Sequence, residues 1–187
     1  MMGNPAKRRA TYEDLLAVPG HLLAEIVHGV LITQPRPASL HARASSRLGI
    51  DLGGPFDRGK GGPGGWIILD EPELHLHGDV LVPDLVGWRR ARMPELPDAS
   101  SFELPPDWVC EVLSPSTAGV DRAEKMPIYA RERVSYAWLV DPIAKTLEAF
   151  GLEGDRWVVL GTWREDAKVR VEPFAEVELE LAGLWAK

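Results

Sequence analysis

The sequence predicts an α/β protein built on a mixed sheet flanked by helices, with extra hairpins. Three observations lead there. Apolar, β-branched runs of strand length are interspersed with amphipathic helical segments, alternating segments around tight-turn residues predict hairpins near both ends, and two of the apolar runs each carry a single carboxylate. At 187 residues with 45% apolar content the chain can bury one good core. A single domain over residues 1–187 is therefore expected, with residues 1–10 as a loose start because Lys7-Arg8-Arg9 shows no apolar periodicity.

In chain order, Thr11 and Asp14 stand at capping-box spacing and predict a short helix that Pro19-Gly20 ends. Leu22 to Val27 and Val30 to Thr33 predict a hairpin around His28-Gly29, with Glu25 in its first strand. After an extended connector with Pro35 and Pro37, Ser39 is expected to cap a helix through Leu52 that buries Leu40, Ala44, Leu48 and Leu52. Gly53 to Gly65 holds seven glycines, which predicts a flexible loop, and it lacks the spacing of a dinucleotide or P-loop motif, so no nucleotide-binding fold is implied.

Trp66 to Leu69 reads as a strand, followed by the alternating Leu74-His75-Leu76-His77. The two histidines share a strand face, but without a cysteine or third histidine nearby they fall short of a zinc site. Val80 to Val86 and Asp107 to Leu113 read as buried strands, joined by a long surface connection from Arg89 to Pro106 that is expected to flank the cleft. A helix is expected over Asp121 to Arg131; since proline is tolerated only in the first turn, Pro127 places Lys125 near the helix start. Tyr136 to Val140 is a further buried strand, Thr146 to Leu152 and Arg156 to Leu160 form a hairpin around Glu153-Gly154-Asp155, and Val169 to Val171 and Val177 to Leu181 add short strands.

The chemistry concentrates in Val80 to Lys125. Asp84 and Glu111 each interrupt an apolar strand, where an unpaired carboxylate costs several kcal/mol to bury unless it protonates, meets a cation or opens into a cleft. Two such acids on neighbouring strands suggest a divalent-metal site, and the turn Ser114-Pro115-Ser116-Thr117 can return Lys125 to them. Glu73, just before the Asp84 strand, is a further candidate acid, and Arg89 and Arg90 are local cations for a phosphate substrate.

Pro83-Asp84, Glu111-Val112-Leu113-Ser114-Pro115-Ser116-Thr117, Asp121, Lys125 and Tyr129-Ala130 together resemble the Uma2 family of endonucleases, within the PD-(D/E)xK nuclease superfamily. The likeness runs from Glu25 to about Phe150. It implies a restriction endonuclease-like core and metal-dependent hydrolysis of phosphodiester bonds in nucleic acid, with DNA the expected partner. It implies Asp84 and Glu111 as ligands of Mg2+ or Mn2+, the carbonyl of Val112 as a third, and either Glu25 or Glu73 completing the shell. His41, at the start of its helix, would contact substrate phosphate or water. The superfamily pattern places a lysine two residues after the second acid, where this chain has Leu113; Lys125 is the expected replacement.

Two other readings compete. Paired acids can hydrolyse glycosides with one kept protonated, and a nuclease fold can outlive its chemistry as a non-catalytic domain that binds nucleic acid or a protein. The formal charge of −7 argues against coating a long run of phosphates but suits a small footprint around an ion. The lone Cys110 allows no disulfide framework, and no run of apolar residues is long enough to span a membrane, which together point to a reducing cytoplasm. A homodimer would suit cutting two strands.

Overall fold

The structure is a computed structural model that describes residues 8–186. In chain order it forms α1 (Tyr12–Leu16), β1 (Leu22–Val27), β2 (Val30–Pro35), α2 (Ser39–Leu52), β3 (Trp66–Asp70), β4 (Leu74–Leu76), β5 (Asp79–Leu81), β6 (Leu85–Arg89) and β7 (Trp108–Val112). There follow α3 (Ala118–Val120), a π-helical turn (Asp121–Lys125), α4 (Met126–Arg131), β8 (Tyr136–Asp141), β9 (Thr146–Glu153), β10 (Arg156–Arg164), β11 (Lys168–Val169) and β12 (Leu179–Glu180).

The central sheet has six strands in the order β10-β9-β8-β7-β6-β3. It is mixed: β7 and β8 run parallel and every other neighbouring pair is antiparallel. A parallel pair needs a crossover, and the helical run from Ala118 to Arg131 supplies it. Side-chain alternation along β7 sends Cys110 and Val112 to a face covered by α2 and the C-terminal residues, and Val109 and Leu113 to a face covered by α4. On the first face Phe174 stands amid Phe56, Trp66, Trp108 and Trp138, with ring centroids 4.7 to 5.6 Å away. Gly87 makes this possible, since a β-carbon there would lie 3.1 Å from the Trp66 ring and 3.3 Å from that of Trp108.

A second sheet, β2-β1-β5-β4, lies over the α4 side through Val27, Leu74, Leu76 and Leu81. The expected single strand over Val80 to Val86 is instead two strands in two sheets, β5 and β6. Pro83 has no N–H to give to a ladder, and the chain changes sheets there, leaving Asp84 at the junction. The β1–β2 turn is tight, with both His28 (φ 53°) and Gly29 (φ 76°) in the left-handed region.

Several boundaries differ from expectation for local reasons. Of the expected loose start, residues 1–7 lie outside the described residues, whereas the Ala10 N–H donates to the Gly29 carbonyl at 2.8 Å and Arg8 pairs with Asp14. Ala38 is the N-cap of α2, with no side-chain cap, so Ser39 is its first residue; Leu40 is exposed while Ala44, Leu48 and Leu52 are buried. The glycine-rich segment opens with a π-helical turn, Gly53–Asp57, that anchors Phe56 in the core.

The helix after Glu111 begins at Ala118 rather than Asp121, so Lys125 lies inside the helical run and not near its start. The wider π turn lets the chain pass Pro127, because the Met126 N–H bonds five residues back to the Asp121 carbonyl just where an α-helix would soon require the missing proline donor. Among the described residues no helix is long and apolar enough to cross a membrane.

Phe174 is fully buried against four aromatic rings, so Phe174→Ala should lower unfolding free energy by about 3–5 kcal/mol through lost burial and an unfilled cavity. Urea denaturation followed by tryptophan fluorescence measures this, and a loss below about 1 kcal/mol would mean that the cluster repacks.

Candidate functional site

Register brings the two strand acids together. Leu85 pairs with Cys110, so Asp84, one residue before β6, lies across from Glu111, and alternation puts both on the α4 face. The Asp84 Oδ2 accepts the Val112 N–H at 2.7 Å, so the side chain continues the ladder where Pro83 breaks it. Its other oxygen, Oδ1, lies 3.2 Å from Nε2 of His41, in the first turn of α2. Burial lowers the His41 pKa, but its hydrogen bond to Asp84 and the charges of Asp84, Asp121 and Glu71 outweigh that and raise it above the ordinary value.

Glu111 is held from the crossover. Its Oε1 accepts the Tyr129 hydroxyl at 2.5 Å and lies 3.3 Å from Nζ of Lys125. The same ammonium lies 2.9 Å from Oε1 of Glu25 and 3.2 Å from Oδ1 of Asp121. Glu25 in turn accepts the Val82 N–H at 2.8 Å, which ties β1 to the sheet-changing segment. Asp121, Lys125 and Tyr129 recur every four residues, and the π turn carries this polar row along the inward side of an otherwise apolar helix. Lys125 thus reaches, from the helix, the second acid that a lysine at position 113 would have met from the strand; Leu113 itself is buried in the core.

The charge balance is uneven. Four carboxylates, those of Glu71, Asp84, Glu111 and Asp121, line one cleft, and a fifth, that of Glu25, lies behind it against the single buried ammonium of Lys125. Burial would push Lys125 down, but Glu111, Glu25 and Asp121 together hold its pKa well above the ordinary value, so it stays charged. Burial pushes Glu111 well up; Lys125 pulls it back, and Asp121, Asp84 and Glu25 push it up again. Burial, then the neighbouring Glu111 charge and hydrogen bond, likewise raise Tyr129, which keeps its proton and donates it.

This excess of hard oxygen donors fits a divalent cation such as Mg2+ or Mn2+ in chemistry and in charge. Among the described residues no three His, Cys, Asp or Glu side chains converge as a ready-made cage. Magnesium does not need one, since it commonly takes one or two carboxylates and retains several waters.

Other expected residues are placed elsewhere. Glu73 is held by His75 Nε2 and the Tyr12 hydroxyl, each at 2.7 Å from its Oε1, away from the cleft. His75 and His77 do not converge: His77 Nδ1 meets Glu132 instead, at 2.6 Å. Arg89 stands at the far end of β6, about 16 Å from Asp84 at about 3.3 Å per residue, stacked over Trp66, and Arg90 pairs with Asp57. The connection from 90 to 106 follows that far end, burying Met93 and Phe102, and does not flank the cleft. Asp121 and Tyr129, which the sequence marks only as parts of a motif, also belong to the cluster, and their four-residue spacing from Lys125 is the sequence signal for it.

Residues 10–182 match the family model of Uma2, described as "Putative restriction endonuclease". The chain belongs to the Uma2 family. Among solved structures, one described as a "putative nuclease belonging to DUF820 from Anabaena variabilis" matches with a TM-score of 0.71 at 22% identity. The match covers 94% of this chain and 97% of that one, and at such identity it establishes a shared fold. No curated protein matches the chain.

The raised Glu111 value has a thermodynamic consequence. The folded state holds that proton more tightly than the unfolded chain, so the unfolded state loses it first and stability falls as pH rises from the ordinary carboxylate range, near 4.5, towards the raised folded value. In chelator, the melting temperature should therefore decline from mildly acidic to neutral pH, and Glu111→Gln should flatten the decline. Scanning calorimetry with parallel pH profiles for the two proteins would show that Glu111 is not the group responsible.

Proposed function

We propose that this Uma2-family chain is a divalent-metal-dependent nuclease that hydrolyses phosphodiester bonds of DNA, and that the cleft around Glu111 is its active site. One observation carries the reading: Lys125, buried and charged, lies 3.3 Å from the second strand acid although the strand position that usually supplies the lysine holds leucine. A packing role alone gives no reason to seat an ammonium among three carboxylates, since buried charge clusters are generally no better for stability than apolar residues of similar size.

The carboxylates of Asp84 and Glu111 and the carbonyl of Val112 would hold the ion. When bound, Mg2+ or Mn2+ supplies positive charge against the carboxylates and polarises the phosphate and its attacking water. The protein's own groups do the rest. Glu25 and Asp121 fix the Lys125 ammonium from two sides, so it meets a phosphate already oriented and donates to the oxygen on which charge develops. Tyr129 holds the Glu111 carboxylate in one rotamer. The Val112 N–H does the same for Asp84, which leaves Oδ1 facing His41. His41 steadies that oxygen at the cleft wall, within reach of substrate. Glu25 serves here through Lys125, and Glu73, Arg89 and Arg90 take no part.

Purified protein incubated with DNA in magnesium, manganese or chelator tests the reading. Cleavage should require the metal, and Asp84→Asn should abolish both cleavage and metal binding by calorimetry. Lys125→Ala should retain metal binding but cut on the order of a hundredfold more slowly, the usual scale for losing one transition-state donor. Metal binding without cleavage of any nucleic acid would favour the non-catalytic alternative, and undiminished cleavage by Lys125→Ala would refute the assigned role.

A further inference from the structure

The cleft bears on which form of nucleic acid can reach these residues. Glu111 and Lys125 are each only 2% exposed and Asp84 9%, so the reacting groups lie beneath the surface at the floor of a cavity of about 260 Å3. One wall is the end of β2 with the connector to α2, Pro35 to Ala38, and the other is the turn Ser114 to Thr117 after β7. Pro35, Pro37 and Pro115 restrict the backbone, and the Thr117 hydroxyl accepts the Ser114 N–H at 3.2 Å and meets the Ser114 hydroxyl at 3.0 Å.

A duplex carries its phosphates on the outside of a convex rod, and pairing and stacking hold each nucleotide there, so lowering one backbone to the floor of a well of this size costs the opening of its walls or of its own pairing. An unpaired strand turns at each phosphodiester and can insert a single nucleotide unit. The lining suits such a unit, because Leu23, Pro35, Pro37 and Val82 offer apolar surface for a sugar or base beside the polar floor.

Charge argues the same way. Among the described residues, the cations lining the cleft besides His41 are Arg36, at its exposed rim, and the buried Lys125, already shared among three carboxylates. Duplex binding draws its affinity from many neutralised phosphates, and a chain of net charge −7 that places Arg89 and Arg90 at the far end of β6 does not present that row at the site.

Resting on the nuclease reading, we infer that the substrate is an unpaired polynucleotide strand, reached as single-stranded nucleic acid, as an overhang or as a locally melted segment, and not an intact duplex. The test uses the wild-type protein and end-labelled oligonucleotides of one sequence, presented as single-stranded DNA, single-stranded RNA, blunt duplex DNA and duplex DNA with an internal mismatched bubble. In magnesium or manganese the single strand and the bubble should be cut on the order of a hundredfold faster than the blunt duplex, the scale set by unpairing a nucleotide. The two single strands separate DNA from RNA as the source of the same backbone chemistry. Anisotropy with the same probes in calcium separates the two readings. Unpaired strand bound in preference to duplex, with no form cut, overturns the nuclease reading and leaves the strand preference standing. Blunt duplex cut or bound as well as the single strand overturns the preference and leaves the nuclease reading intact, and no binding and no cleavage of any form overturns both.

Discussion

The buried ammonium of Lys125 is the constraint on which the rest of the site depends. It lies within 3.3 Å of carboxylates from three parts of the chain: Glu25 on β1, Glu111 on β7 and Asp121 in the π turn. None of these charges has bulk water to fall back on, and removing any one partner leaves the others uncompensated in a low-dielectric setting. The second sheet, the central sheet and the crossover helix are therefore coupled electrostatically as well as by packing.

That coupling explains features that would otherwise look like local irregularities. Pro83 ends one strand and sends the chain into a second sheet, and Asp84 repairs the break with its own side chain by accepting the Val112 N–H. The π turn widens the helix where Lys125 must project inward, and it also lets Pro127 stand inside a helical run. Both of these departures from regular structure lie within one or two residues of a charged group that they position.

The same cluster leaves an electrostatic imbalance that the protein does not correct internally. Burial and three neighbouring acids push Glu111 up while only Lys125 pulls it down, so the site has more hard oxygen than positive charge. A divalent ion would remove that imbalance, and a phosphodiester bound beside it would meet an ammonium already fixed in direction. The same groups lie on the floor of a proline-edged cleft, so whatever meets the charge must first fit between Pro35 to Ala38 and Ser114 to Thr117.

Much of this was legible from residue order. Apolar β-branched runs with one acid each marked the core strands and both acids, His28-Gly29 marked the hairpin, and the block from Glu111 to Ala130 marked the family, because these signals are local and depend on side-chain chemistry at short spacing. What residue order could not supply is which distant groups meet. Glu73 and Glu25 were equivalent as candidates, and only sheet pairing decides that Glu25 reaches Lys125 while Glu73 is taken by Tyr12 and His75. Arg89 and Arg90 follow Asp84 closely in sequence, yet an extended strand rising about 3.3 Å per residue carries them to its opposite end. The sequence by itself determined the fold class and the family and marked two acids inside apolar strands, since periodicity and motif are properties of neighbouring residues. Only the tertiary structure decided which of the remaining charges stand beside that pair, because a contact between elements is set by strand register, sheet order and helix geometry, which no short stretch of sequence contains.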